Sequence, residues 1–213
     1  MKNYQGVTMT LKKSVYLILS IFFSFTTLTS AQLFQIGAGG GITQILAPDV
    51  YTNSVSDGGY GFSTEWNAGV IAKLGLPLIP LTPRAYFLYH SLSGDGESST
   101  LNKNVEFSQS ISELGVGVQY NFIPLPAGFD PYIALDIAYN SFGALEMDGN
   151  EIQNTKVNRF GGDIGIGTEI TLIPILDFDV YASYKMFNLI GKEDGEESVT
   201  AFTVDVFVLL SFL

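Results

Sequence analysis

The chain has 213 residues, enough for one domain of ordinary size, with 46% apolar and 15% charged residues. The absence of Cys excludes disulfide scaffolds, thiolate metal sites and thiol nucleophiles, and a lone His, His90, excludes a multi-histidine metal centre. Ten basic against 21 acidic residues, a formal net charge of −11, exclude the basic footprint that nucleic-acid binding needs.

The first element is a leader. Lys12 and Lys13 precede the apolar run Val15–Phe23, and Thr29-Ser30-Ala31 follows with small residues where a signal peptidase cuts. Residues 1–31 therefore read as a secretory signal peptide and 32–213 as the exported domain. Removing the leader takes three lysines and no acid, so the mature part carries 7 basic and 21 acidic residues. It contains no further apolar stretch long enough for a spanning helix.

Beyond the leader the hydrophobic period is two. In Gly115–Phe122 the even positions are Val, Val, Tyr, Phe and the odd ones Gly, Gly, Gln, Asn. In Phe202–Phe212 the even positions are Phe, Val, Val, Val, Leu, Phe. Such alternation is the signature of strands with two unlike faces. Eight runs have it: 33–46, 62–76, 82–93, 107–123, 131–145, 156–173, 178–190 and 199–213. Connections alternate between short Pro-bearing turns, at 77–81, 124–130 and 174–177, and longer polar loops, at 47–61, 94–106, 146–155 and 191–198. A weak repeat of a strand, a Pro-marked turn and an aromatic strand starts at Gly69, Gly115 and Gly165. The predicted fold is all-β: an eight-stranded antiparallel up-and-down barrel.

Which face looks outward decides between a soluble and a membrane barrel. One face is wide and branched: Val116, Val118, Ile133, Leu135, Ile137, Ile164, Ile166. The other holds Gly37, Gly39, Gly41, Gly69, Gly115, Gly117, Gly165 and Gly167 with single polar groups between them. An eight-strand barrel has room inside for side chains and little more. The small face therefore belongs inside and the branched face outside, in lipid. Parity puts Glu65, Lys73, Arg84, His90, Glu113, Asp136, Arg159, Asp163, Glu169, Asp179, Lys185 and Asp205 in the lumen. Lys73, Glu169 and Arg84 with Asp136 or Asp179 are the candidates for an ion-paired plug. Trp66, Tyr89, Tyr139 and Tyr184 toward the long loops, and Phe122 and Phe212 toward the short turns, are expected to form interfacial girdles.

The leader ending Thr29-Ser30-Ala31, the eight alternating runs and the last strand Phe202–Leu213 resemble the small eight-stranded outer-membrane barrels of Gram-negative bacteria, the OmpA/OmpX type. In that family the last strand usually ends on an aromatic; here Phe212 is penultimate. The resemblance implies an outer-membrane monomer, insertion by the barrel-assembly machinery, contact with lipid and lipopolysaccharide, and loops at the cell surface.

Candidate chemistry is sparse. A hydrolase dyad would need a Ser beside His90; on its own strand Leu92 is the neighbour on its face and Ser91 and Ser93 point away, which leaves only a Ser from another strand. The acidic stretches Glu193–Glu197 and Asp148–Glu151 lack Ca²⁺-loop spacing and read as solvated turns, as does Gly94-Asp95-Gly96. Gly37–Gly41 lacks the Lys-Ser/Thr of a phosphate loop. No enzyme activity, cofactor or metal is expected. Two functions fit: a structural or surface-interaction role through four acidic loops, or a narrow cation-preferring channel. A lipid-modifying enzyme and a soluble lipocalin-like carrier fit less well.

Overall fold

A computed structural model of the chain describes residues 34–76, 79–122, 128–153 and 156–212. The expected signal peptide, and the turn residues 77–78 and 123–127, lie outside the described residues. Eight long strands form the barrel: β1 (Phe34–Ala47), β2 (Thr64–Leu74), β3 (Leu81–Ser98), β4 (Lys103–Asn121), β5 (Phe129–Phe142), β8 (Val157–Ile173), β9 (Leu176–Ile190) and β10 (Thr200–Phe212). Between β5 and β8 stands a small hairpin, β6 (Leu145–Met147) and β7 (Asn150–Gln153). Each long strand pairs antiparallel with its sequence neighbours, β5 with β8 across the hairpin. The sheet closes where β1 meets β10, from Phe34 opposite Phe212 to Ala47 opposite Thr200, with a register shift after Ile45. Closure pairs each of the eight strands on both sides through the barrel wall, as a lipid-exposed sheet requires.

The outward face is apolar. Leu135, Ile137, Ile164 and Ile166 are more than half exposed, and Val70, Phe87, Val116 and Phe202 stand out beside them. Among the described residues no helix is long and apolar enough to cross a membrane. The elements built to cross are the strands, which need about 9–11 residues to do so.

The loop end refines the sequence expectation. β3 and β4 are 18 and 19 residues long, so their hairpin projects well past the apolar belt. The expected loop 94–106 shrinks to the connection 99–102, and Gly94-Asp95-Gly96 is strand rather than turn. Asp148-Gly149 is a tight two-residue hairpin turn, with φ of 51° and 76°, the left-handed pair that Asp-Gly supports. The loop 47–61 is folded, with a helical turn α1 (Asp49–Thr52) and a 3₁₀ turn at Val55–Asp57. Tyr51, Tyr60, Phe62 and Phe107 pack with ring centroids 5.2–5.6 Å apart, tying this loop to the β3–β4 hairpin.

Candidate functional site: the filled lumen and the loop-side mouth

The interior has a polar part toward the short turns and an apolar part toward the long loops. Nearest the turns, Lys73 Nζ lies 2.8 Å from Glu169 Oε1 and 2.7 Å from Asp179 Oδ2, and donates to Gln119 Oε1 at 2.9 Å. Its ammonium stands 4.9 Å from the centre of the Tyr132 ring, whose hydroxyl donates to Asp179 Oδ1 at 2.7 Å. Beside it Gln35 and Ser211 donate to Asp177 at 3.1 and 2.6 Å.

At mid-height Arg84 holds Asp136 in a two-point pair, with Nε 2.7 Å from Oδ1 and the second guanidinium nitrogen on Oδ2. The guanidinium lies 4.2 Å from the centre of the Tyr181 ring. Tyr181 donates to Asp163 Oδ1 at 2.9 Å, and the Tyr86 hydroxyl is 2.7 Å from both Asp163 Oδ2 and Glu113 Oε1. Higher still, Lys185 Nζ bridges Glu113 at 2.9 Å and Asp163 at 3.3 Å. His90 is fully buried: Nε2 is 2.9 Å from Glu113 Oε2 and Nδ1 is 2.9 Å from Thr43 Oγ1. Asp205 accepts from Asn67 at 2.7 Å and from Thr203 at 3.2 Å.

Seven buried carboxylates (Glu113, Asp136, Asp163, Glu169, Asp177, Asp179, Asp205) thus share the network with three cations (Lys73, Arg84, Lys185); a fourth buried cation, Arg159, pairs with the last loop instead. Neutral donors supply the balance: Asn67 and Thr203 for Asp205, Gln35 and Ser211 for Asp177. A buried carboxylate without such partners would be strongly destabilising.

The glycines make room for rings. A Cβ at Gly115 would lie 2.1 Å from Tyr86 Cζ, and one at Gly167 would lie 2.4 Å from Tyr132 Cζ. Tyr86 and Tyr132 lean across the lumen over these bare backbones, and Tyr181 does so over Gly165. A void beside Arg84, Tyr86 and Tyr181 measures about 10 Å³, at the lower limit for one water.

Above His90 the interior turns apolar, contrary to the expectation of a polar inward face along every strand. Ile45, Leu92, Ile111, Phe142, Phe187 and Ala201 point inward from six strands and pack with Phe62, Leu145 and Val199 into one buried layer. The Phe187 ring meets His90 edge-on at 5.2 Å. Ile71, Leu88, Phe207 and Leu209 form a second buried apolar group along the wall.

Two expected lumenal residues lie at the loop end of the barrel, outside the ion-paired network. Glu65 is half-buried at the loop end, where pairing of β2 with β3 stops at Trp66 opposite Ser91; its carboxylate turns to the Ser93 hydroxyl at 3.1 Å. Arg159 sits at the mouth, where NH2 is 2.6 Å from Glu196 Oε2 and 3.5 Å from Glu193 Oε1 in the last loop. The other ten charged residues are buried inside the barrel. Trp66, Tyr89, Tyr139, Tyr184, Phe122 and Phe212 all face outward, partly exposed. Trp66 packs with Tyr89 at 6.0 Å, Tyr139 with Phe160 at 5.5 Å and Phe212 with Phe34 at 6.3 Å. Parity reasoning confined to charges missed Gln35, Thr43, Asn67, Tyr86, Gln119, Tyr132 and Tyr181, which are buried on inward positions, and it missed Asp177 because the expected 174–177 turn includes a residue that belongs to β9.

At the mouth, Arg159 holds the Glu196 carboxyl down at about 2, and Asn188 adds a 2.8 Å hydrogen bond to it. Burial and the nearby Tyr60 push the Tyr51 hydroxyl up to about 12, so it remains a neutral donor to Gln109 at 2.8 Å.

No family model matches the chain, and no curated protein matches it. Solved structures do. Neisserial surface protein A superposes with a TM-score of 0.58 at 15% identity, covering 84% of this chain and 97% of that one. The outer membrane protein OprG of Pseudomonas aeruginosa gives 0.58 at 13%, covering 85% and 96%. A major outer membrane protein of Thermus thermophilus gives 0.55 at 14%, covering 86% and 100%. At these identities the likeness is one of fold: the chain is a small closed eight-stranded β-barrel of the outer-membrane type.

Proposed function

We propose that the chain is an exported, integral outer-membrane barrel that does not conduct and acts through its loop-side surface. The filled lumen carries this reading. The Lys73, Arg84 and Lys185 network occupies the lower interior, and the layer of Ile45, Leu92, Ile111, Phe142 and Phe187 closes the upper one. An ion crossing that layer would shed its water against hydrocarbon. The apolar outer belt and the candidate signal peptide support the outer membrane as location. The barrel-assembly machinery and lipopolysaccharide are then its expected partners, a monomer its expected state, and the outward aromatics its interfacial anchors.

His90 is structural in this reading. Both ring nitrogens are engaged, by Thr43 and Glu113, and all three side chains are buried. What faces outward at the loop end is built rather than loose: a folded first loop, a projecting β3–β4 hairpin, the β6–β7 hairpin and an acidic last loop pinned by Arg159.

Conductance of the refolded protein in a planar bilayer tests the reading, after heat-modifiable gel migration has shown that it is folded. A silent bilayer is expected. Discrete cation-preferring steps that change in Lys73→Ala would overturn it in favour of a channel.

A further inference from the structure

Between the folded first loop and the last loop lies an open cleft of about 610 Å³, within the size range of small-molecule sites. Val50, Phe142, Val157 and Val199 give it apolar surface, and Tyr51 adds a ring whose hydroxyl is engaged by Gln109. Its lip is the stretch Glu193–Glu197, with four carboxylates. Arg159 is the one base lining it, and that guanidinium is committed to Glu196 and Glu193. Lys192, next along the loop, donates to Ser198 at 2.8 Å. Among the described residues no cation pairs with Asp194 or Glu197.

The lip is also held in place. Buried Asn188 donates to Glu196 Oε1 and to the Glu197 carbonyl, both at 2.8 Å, and accepts from the Val199 N–H at 2.7 Å. The Glu193 N–H donates to Glu196 at 3.1 Å. A ligand would meet carboxylates already positioned, with less ordering cost on binding.

We propose that this cleft binds a small organic cation: an ammonium or guanidinium group on an apolar, ring-sized body. The apolar lining favours the body, and the uncompensated carboxylates of Asp194 and Glu197 favour the charge. An anion of the same shape meets like charge at the lip, and a neutral one gains nothing from it. The proposal names a ligand class for the surface-interaction reading above and rests on it.

The test uses the full barrel in detergent micelles or nanodiscs, with phenethylamine as probe and phenylacetate and 2-phenylethanol as its charge-reversed and neutral counterparts. Calorimetry should show saturable binding of phenethylamine, weakened at least tenfold in the Asp194→Asn/Glu197→Gln double variant and by added salt. The Asp194→Lys variant, at an exposed turn position, should abolish it while gel migration stays that of a folded barrel. Absence of saturable binding, equal binding of phenylacetate, or unchanged binding in both variants would overturn the proposal. A silent barrel that binds no amine defeats the cleft alone; a conducting barrel defeats the reading it rests on.

Discussion

Asp136 and Asp163 stand directly opposite each other on β5 and β8, two carboxylates on one inward-facing pair. Like charges so placed repel. Arg84 locks onto Asp136 from one side, Lys185 approaches Asp163 from the other, and Tyr181 reaches both, at 3.3 Å from Asp136 and 2.9 Å from Asp163. Replacing Arg84 by Met leaves the two acids facing each other without the guanidinium. Removing one partner of a buried pair costs about 3–5 kcal/mol, so Arg84→Met should unfold in urea at a markedly lower concentration in lipid vesicles. Adding Asp136→Asn should return most of the loss, because one buried charge then goes with its partner. A single variant as stable as the parent would show that the pair is not what holds the centre.

Gly115 and Tyr86 form a second coupled pair. The ring occupies the space a side chain at 115 would need, and the Tyr86 hydroxyl is fixed near Glu113 and Asp163, so the ring has little room to retreat. Gly115→Ala should destabilise by about 1–3 kcal/mol, the usual cost of overpacking. In a Tyr86→Leu background the same substitution should be nearly neutral. The interaction term of that double-mutant cycle is the quantity to measure. Equal costs in both backgrounds would place the strain elsewhere.

The strand count, the inside-outside assignment and the ion-paired lumen follow from period-two patterning because that period maps directly onto the two faces of a sheet. Lys73, Glu169, Arg84, Asp136 and Asp179 could be grouped from parity as candidates for one ion-paired plug, since inward charges in a narrow lumen must find one another. Asp179, an alternative partner for Arg84, joins Lys73 instead, because pairing across the lumen depends on shear that no single strand reveals. The apolar layer is harder to see. Ile45, Leu92, Ile111 and Phe187 each look like one residue of a strand end, and their convergence depends on all strands ending at one height. Glu65 and Arg159 carry the right parity too, but near the loop end of the barrel the side chain can turn to a partner outside the network, Ser93 of the projecting β3 for one and Glu196 of the last loop for the other.

The apolar layer makes its own prediction. Phe187 is fully buried against His90 and the residues around it. Phe187→Ala should cost about 3–5 kcal/mol by cavity formation. Conductance should nonetheless remain silent, since the network from Lys185 down to Lys73 stays in place. Stability by urea titration and current in a planar bilayer, measured on the same variant, separate the two roles. Current without loss of stability would make Phe187 a gate rather than packing.

The mouth should respond to acid through Glu196. Its carboxyl titrates at about 2 in the folded chain, against an ordinary 4.5, chiefly because Arg159 donates to it. A carboxyl depressed in this way adds stability that is fully present above about 4.5, declines as the pH falls and is gone below about 2. The pair is partly exposed, so the contribution is at most about 1 kcal/mol and local to the last loop. The Glu193 N–H, which donates to Glu196, should therefore lose hydrogen-exchange protection between pH 4.5 and 2, after correction for intrinsic rates. Carbon-detected NMR of the Glu196 carboxyl should show a midpoint near 2, rising to the ordinary range in Arg159→Gln. An ordinary midpoint with Arg159 in place would mean that the last loop is not held by this pair, and the acidic lip would then lose the support on which its geometry depends.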